Sequence, residues 1–220
     1  MKTNIAIDGP SGAGKSTVSN LLAEKLGYAH LDTGSMYRAV AYHSLKNGLK
    51  MDEEAKVVEL INKMKLSVLP DGRIFVDDEE VTGKIRTDEI SMAASDVSKL
   101  LGVRKALVKM QQDIASTGGY ILDGRDIGTV VLPDAKVKVF MSASPEERAQ
   151  RRFLENVAKG MEADYKTILE DTKARDYQDS HRENSPLKKA DDAIEIDTTN
   201  MSLDEVVDVI LELVKKATEW

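Results

Sequence analysis

Apolar residues of the chain fall into two recurring patterns, short continuous runs and helical spacing. Residues 5–8 form a run typical of a buried strand, and the apolar spacing over 18–26 predicts a helix that Gly27 can end. The same two patterns recur as a predicted strand over 28–32 and a helix over 35–45. Two such βα units in succession predict a parallel sheet, and therefore an α/β fold.

One segment interrupts this alternation. After helical spacing over 57–64, two short apolar runs flank the turn Pro70-Asp71-Gly72, which predicts a hairpin inserted into the α/β chain. The pattern then resumes. It predicts helices over 103–114, from 145 and from 202, and strands over 120–123, 137–141 and 193–197.

Composition narrows the class of protein. With 220 residues, 41% of them hydrophobic and 31% charged, the chain has the balance of one globular unit. Its longest apolar runs fall short of the roughly 18 residues that a membrane span requires, and no signal-peptide pattern opens it. A net charge of −7 disfavours nucleic acid as a partner. The absence of cysteine excludes thiolate chemistry and fits a reducing compartment, so we expect a cytoplasmic protein.

The segment between the first predicted strand and helix carries the clearest chemical motif. Residues 9–16 match the phosphate-loop pattern G-x-x-x-x-G-K-[ST] in the strand-to-helix context that it requires. Loop N–H groups would bind phosphates, Lys15 would reach the β- and γ-phosphates, and Ser16 would ligate Mg²⁺. Asp123, at the end of another strand, is the expected second metal group, acting through water. The predicted ATP-binding residues are Gly9, Pro10, Ser11, Gly12, Ala13, Gly14, Lys15, Ser16 and Thr17.

Other residues separate the classes of phosphate-loop protein. The only Asn-Lys pair, Asn62-Lys63, is followed by Met64 and Lys65, so the Asn-Lys-x-Asp guanine reader of GTPases is missing. The Leu-Ser-Gly-Gly-Gln signature of transporter ATPases is missing too. A small kinase remains, and phosphoryl transfer to a phosphate acceptor needs positive charge rather than a general base. The ten arginines of the chain suit that chemistry.

Three further blocks, at residues 32–38, 123–131 and 185–187, follow the phosphate loop in order. With them, the chain resembles the bacterial cytidylate kinases, a family of P-loop nucleoside monophosphate kinases, from end to end. The resemblance implies a P-loop NTPase-type five-stranded parallel sheet flanked by helices, with a small β-containing NMP-binding insert and a helical lid. It divides a single kinase domain, 1–220, into a core of 1–63, 99–151 and 184–220, an insert of about 64–98 and a lid region of about 152–183.

The resemblance also implies the reaction and its residues. The γ-phosphoryl group of Mg·ATP would pass to CMP and dCMP, giving CDP and dCDP plus ADP. The implied catalytic residues are Lys15, Arg125, Arg182, Arg152 and Asp123. The implied CMP-binding residues are Thr33, Arg38, Ser95, Arg104, Arg125, Asp126, Arg175, Asp179 and Arg182. Among these, Ser95, Arg104 and Asp126 would hold the base.

Hydrogen-bonding chemistry supports this base pocket independently. Cytosine presents an amine donor beside ring acceptors, which suits a carboxylate next to a cation, whereas uracil would oppose a carbonyl to Asp126. That mismatch costs about 1–3 kcal/mol, roughly 10- to 100-fold in discrimination. Two alternatives stay open: a small kinase with another acceptor, such as UMP or a non-nucleotide, and a nucleotide-binding switch without phosphoryl transfer.

Spacing leaves two further questions. Arg148, Arg151 and Arg152 cluster on the helix leading into the lid, and closing the lid would bring one of them to the transferring phosphoryl group. His30, His43 and His181 lack partners at metal-ligand spacing, so we expect packing or surface roles for them and no catalytic role. Because one chain carries every implied site residue, we expect a monomer.

Overall fold

The computed structural model of the protein describes residues 2–69 and 71–218. Its strands are β1 (Ile5–Asp8), β2 (Ala29–Asp32), β3 (Leu66–Val68), β4 (Ile74–Val76), β5 (Glu79–Glu80), β6 (Tyr120–Gly124), β7 (Val137–Ser142) and β8 (Ile194–Asp197). Its α-helices are α1 (Lys15–Leu26), α2 (Thr33–Lys46), α3 (Glu54–Lys63), α4 (Asp88–Val97), α5 (Leu101–Ala115), α6 (Pro145–Ala158), α7 (Tyr165–His181) and α8 (Leu203–Thr218).

Five of these strands form the predicted parallel sheet, in the order β2-β6-β1-β7-β8. All four residues of β1 are buried because helices cover both faces of the sheet. Side chains of α1 and α8 pack on one face, and side chains of α2, α3 and α5 pack on the other. The predicted fold class is confirmed. The ends of β6 and β2 lie side by side, since Asp123 pairs with Asp32.

The predicted hairpin is present as β3 and β4, which pair antiparallel. The two-residue strand β5 extends it to a three-stranded sheet, and α4 follows after a short 3-10 turn at Lys84–Arg86. Pro70, in the predicted turn, lies outside the described residues. Glu79 joins this small sheet to α2, because its carboxylate accepts hydrogen bonds from Tyr42 at 3.0 Å and from Lys46 and Lys84 at 2.5 Å.

Several elements begin one to three residues away from the predicted start, α2 and β2 among them. Helix α2 begins at Thr33 instead of Ser35, because the side chain of Asp32 caps it by accepting a hydrogen bond from the Ser35 N–H at 3.0 Å. Strand β2 begins at Ala29, one residue after the predicted start. Helix α6 begins at Pro145 as predicted, with the Ser144 hydroxyl as its cap.

Helices α6 and α7 form an antiparallel pair beside the main sheet. Phe153 meets Tyr165 edge to face, with ring centroids 6.4 Å apart, and Lys173 pairs with Glu146 at 2.9 Å. Gly160 adopts φ +71° in the turn between them, a conformation that favours glycine. Within the described part of the chain, no helix has both the length and the apolar character needed to cross a membrane.

Candidate active site

The phosphate loop follows β1 at the carboxyl edge of the sheet. Gly9 adopts φ +151°, and a Cβ atom on it would lie 2.0 Å from the carbonyl oxygen of Met141 on β7, so no larger residue fits without backbone movement. Gly14 adopts φ +86° immediately before α1. Because glycine has no side chain to cap the helix, the first N–H groups of α1 are available to an anion. This is the geometry expected of a phosphate-binding loop.

Lys15 lies inside this loop, and its ammonium group donates a hydrogen bond to the Pro10 carbonyl at 2.7 Å. Its side chain is buried. Burial and the charge of nearby Arg125 lower the pKa of Lys15 to about 7. A phosphate in the loop would stabilise the ammonium form, so the structure holds Lys15 ready for an anionic ligand.

The two residues expected to serve the metal are in direct contact. The Ser16 hydroxyl donates a hydrogen bond to Oδ2 of Asp123 at 2.6 Å, and the Thr33 hydroxyl donates to the backbone carbonyl of Asp123 at 2.7 Å. Hydroxyl and carboxylate oxygens are the ligands that Mg²⁺ prefers, usually together with phosphates and water. Among the described residues, no group of three or more His, Asp or Glu side chains could hold a metal. The donor set therefore fits a Mg²⁺ ion that arrives with a nucleotide.

His30 also contacts Asp123, which the sequence did not indicate. Its Nε2 atom lies 3.2 Å from Oδ1 of Asp123, and its Nδ1 atom lies 2.8 Å from the amide oxygen of Asn20. Burial lowers the pKa of His30, but the hydrogen bond to Asp123 and the charge of that carboxylate outweigh it, so the pKa is raised. The expectation that His30 lacks a carboxylate partner is wrong, because the pairing of β2 with β6 places Asp123 beside it.

Asp8, the last residue of β1, fastens the phosphate loop to the loop after β6. Its two carboxylate oxygens accept hydrogen bonds from the N–H groups of Ile127 and Gly128, each at 2.7 Å. These residues begin a π-helical turn directly after Asp126. Burial raises the pKa of Asp8 to about 6, although the two backbone hydrogen bonds oppose the shift.

A cluster of arginines and carboxylates faces the phosphate loop from α2, α5 and α7. Arg38 donates to the carboxylate of Asp32 at 2.8 Å. Burial opposes ionisation of Asp32, but the charge of Arg38 and the hydrogen bond from Ser35 lower its pKa to about 2. Arg125 donates to the carboxylate of Asp179 at 2.8 Å.

Asp126 forms the charged centre of the expected base pocket. Its carboxylate accepts a short hydrogen bond from Arg104 and lies 4.0 Å from Arg182. The Arg104 guanidinium lies over the ring of Tyr37, 5.6 Å from its centroid. Burial raises the pKa of Tyr37 to about 12. Sequence reasoning missed Tyr37, although it directly precedes Arg38 in one of the recognised blocks.

Four arginines in this cluster have unused donors. Among the described residues, Nε of Arg38, Arg104 and Arg175 and Nη2 of Arg182 are buried nitrogens with no hydrogen-bond partner. Burial and the charge of Arg125 also lower the pKa of Arg175 to about 10. A buried unsatisfied donor costs about 1–3 kcal/mol, so four of them in one arginine cluster suit an anionic ligand rich in acceptors.

Other expected residues have protein partners. The Ser95 hydroxyl accepts a hydrogen bond from the amide of Gln178 on α7 at 2.6 Å. Arg152 donates to the exposed carboxylate of Asp88 on α4 at 2.7 Å, and it does not contact the phosphate loop.

Arg148, on α6, lies deep between the phosphate loop and α7. It donates to the Ser11 carbonyl at 3.1 Å and grips the carboxylate of Asp176 through both of its terminal nitrogens. Its side chain is buried. Because Asp176 neutralises its charge, Arg148 has a structural role here: it links the phosphate loop to α7.

The strand order, the phosphate loop and the arginine cluster define a phosphate-loop kinase. The family model for cytidylate kinase matches residues 5–216. A cytidylate kinase from Caldicellulosiruptor bescii is 54% identical over 221 residues, covering 99% of this chain and 98% of that protein. One from Bacillus subtilis (strain 168) is 50% identical and covers 98% and 97%. The chain belongs to the cytidylate kinase family, and it is a nucleoside monophosphate kinase.

Solved structures show the same fold at much lower identity. A gluconokinase from Sinorhizobium meliloti 1021 superposes with a TM-score of 0.51 at 14% identity, over 99% of this chain and 94% of that one. The likeness extends to the parallel sheet with its flanking helices and carries no information about the acceptor.

Proposed function

We propose that the protein transfers the γ-phosphoryl group of Mg·ATP to CMP and dCMP, giving CDP and dCDP plus ADP. The observation that carries this proposal is the cluster of arginines with buried, unpaired donors, to which Arg125, whose charge acts on Lys15 of the phosphate loop, also belongs. A nucleotide-binding switch has no use for a second anion site. A kinase whose acceptor is a nucleoside monophosphate requires one.

On the donor side, residues 9–17 bind the phosphates of ATP. Lys15 leaves the Pro10 carbonyl and donates hydrogen bonds to the β- and γ-phosphates instead. There it stabilises the negative charge that develops during transfer. Ser16 and Asp123, the latter through water, hold the Mg²⁺ ion that arrives with ATP. When bound, Mg²⁺ neutralises negative charge on the β- and γ-phosphates.

On the acceptor side, the phosphate of CMP is already ionised and needs no general base. Arg38, Arg125 and Arg182 surround that phosphate, with Thr33 beside it. Arg175 and Asp179 approach the ribose. These residues neutralise the repulsion between two anions and hold them in line, which is the main task in phosphoryl transfer.

The base is read by Asp126, Arg104 and Ser95. The free oxygen of Asp126 accepts from the exocyclic amine of cytosine, while Arg104 fixes the other oxygen. Uracil would place a carbonyl against the same oxygen, leaving two acceptors unpaired.

Two segments are proposed to move during the reaction: the insert, about 64–98, and the lid region, about 152–183. Arg152 is the lid arginine that reaches the transferring group. Its present partner, Asp88, is exposed, and exposed ion pairs contribute little, so a phosphoryl group competes easily for the guanidinium.

The proposal includes a monomer that works in the cytoplasm. All proposed site residues come from one chain, and the sequence contains no cysteine that would suit an oxidising compartment.

The test is a coupled assay of ADP release with Mg·ATP and CMP, dCMP, UMP, AMP, GMP or no acceptor in parallel. We expect fast turnover with CMP and dCMP and a blank without acceptor. Activity confined to another acceptor would retain the kinase and refute the base pocket. Slow hydrolysis indifferent to acceptor would refute phosphoryl transfer to a nucleotide altogether.

A further inference from the structure

His30 occupies an interior position between two elements of the donor site. It lies on β2, only 9% of its side chain is exposed, and its two ring nitrogens face Asn20 on α1 and Asp123 on β6. Neither the family resemblance nor the proposed mechanism uses it.

Hydrogen-bonding chemistry fixes the direction of these contacts. An ionised carboxylate only accepts, so Nε2 of His30 must carry the hydrogen that binds Oδ1 of Asp123. The Asn20 oxygen faces Nδ1 at 2.8 Å, and a protonated ring donates to it. In a neutral ring, Nδ1 instead accepts from the amide nitrogen of Asn20 after the amide oxygen and nitrogen exchange places. In both forms a chain of hydrogen bonds runs from Asn20 through His30 to Asp123.

This chain restricts the Asp123 carboxylate from one side while Ser16 restricts it from the other. Ser16 contacts Oδ2 at 2.6 Å and His30 contacts Oδ1 at 3.2 Å, so rotation of the carboxylate would break both contacts. When Mg·ATP binds and Ser16 turns to the metal, His30 is the contact that remains on the carboxylate. Metal sites depend on such outer contacts to orient their ligands.

We propose that His30 is a positioning residue for the donor site: held by Asn20, it fixes the Asp123 carboxylate in the orientation that receives the hydrated Mg²⁺ of the bound nucleotide. This inference rests on the proposed function, because it assumes that Asp123 serves that metal. His30 touches neither nucleotide nor metal, and its contribution passes entirely through Asp123.

The test compares binding of ADP by isothermal titration calorimetry in excess Mg²⁺ and in EDTA. His30→Phe keeps a ring and removes the donor, whereas His30→Gln keeps a terminal N–H group. His43→Phe is the matched control, because His43 lies 3.9 Å from the carboxylate of Asp77, away from the phosphate loop. The quantity of interest is the gain in ADP affinity that Mg²⁺ provides.

We expect His30→Phe to lower this gain about tenfold without changing ADP affinity in EDTA, in line with other outer contacts of metal ligands. His30→Gln should recover most of the gain, and His43→Phe should match the wild type. In steady-state assays, His30→Phe should lower kcat and leave the KM for CMP unchanged.

An unchanged Mg²⁺ gain in His30→Phe would overturn the inference, as would an equal loss of ADP affinity in EDTA, which would show a structural role in the loop. If His30→Phe does not fold, the same measurement is made on Asn20→Leu, which removes the exposed end of the hydrogen-bond chain. We expect a smaller loss of the Mg²⁺ gain in this variant. An unchanged gain would overturn the inference. Failure of the wild type to turn over CMP would refute the proposed function instead.

Discussion

Replacing Asp126 with asparagine would exchange one carboxylate oxygen for an N–H donor with almost no change in shape. Arg104 donates to Oδ2, so the asparagine side chain must direct its remaining oxygen to Arg104. Its NH₂ group then occupies the position of Oδ1, on the side where Arg182 lies 4.0 Å away. That position faces the proposed base, so residue 126 would donate a hydrogen bond to the base where the carboxylate accepts one.

The expected magnitude follows from the pairing of donors and acceptors. With cytosine, the new N–H₂ group opposes the exocyclic amine, and with uracil it finds a carbonyl acceptor. Leaving one buried polar pair unsatisfied costs about 1–3 kcal/mol, so the preference for CMP over UMP in kcat/KM should fall by roughly 10- to 100-fold. Both acceptors should also lose activity in common, because the side chain of Arg104 is 4% exposed and would have only a neutral partner.

The assay measures kcat/KM for CMP and UMP with wild type and variant at saturating Mg·ATP. Asp134→Asn, an exposed aspartate in the following loop, is the matched control and should leave the ratio unchanged. Thermal unfolding of each variant separates loss of fold from loss of specificity. An equal fall for both acceptors in a folded Asp126→Asn protein would refute the reasoning, since Asp126 would then only hold Arg104.

Three further predictions concern the phosphate loop and the residue before it. Lys15→Ala should lower kcat at least about 10²-fold and leave CMP affinity nearly intact; normal turnover would contradict the assigned role of Lys15. Gly9→Ala should lower the free energy of unfolding, measured by urea titration, by more than about 3 kcal/mol, because its Cβ would lie 2.0 Å from a carbonyl oxygen. Gly83→Ala is the control and should have little effect, because the space around Gly83 is open. Burial raises the pKa of Asp8 from 3.8 to about 6, so the folded chain binds this proton more tightly than the unfolded chain does. The resulting stabilisation, about 3 kcal/mol, is present at low pH and is lost as the pH rises from 4 to 6. Unfolding of Asp8→Asn should lack this pH-dependent loss, and parallel curves for the two proteins would disprove the shift.

The order of elements and the sheet could be predicted because their signals are local. The apolar run 5–8, the helical spacing after it and the phosphate-loop motif all lie within one βα unit, and each indicates the same structure. The hairpin was predictable from its turn residues for the same reason. The two-residue strand β5 was not, because so short a segment has no periodicity and is defined by its pairing with β4.

The side-chain contacts of the site were harder to predict because they depend on distant elements. His30 has an acidic partner only through the pairing of β2 with β6, which no spacing within either strand reveals. Gln178 meets Ser95 only because α7 crosses to the insert. The arginines were recognisable as a group, since their number and their motif positions are sequence properties. Which of them retain free donors depends on their neighbours in space.

Arg148 creates a dependence between the two halves of the site. One guanidinium holds the Ser11 carbonyl of the phosphate loop and the carboxylate of Asp176 on α7, the helix that also carries Arg175 and Asp179. A chimera that took the loop from one relative and α7 from another would separate these hydrogen-bonding partners. Arg148 therefore couples the phosphate loop to α7, although most of the chain lies between them in the sequence.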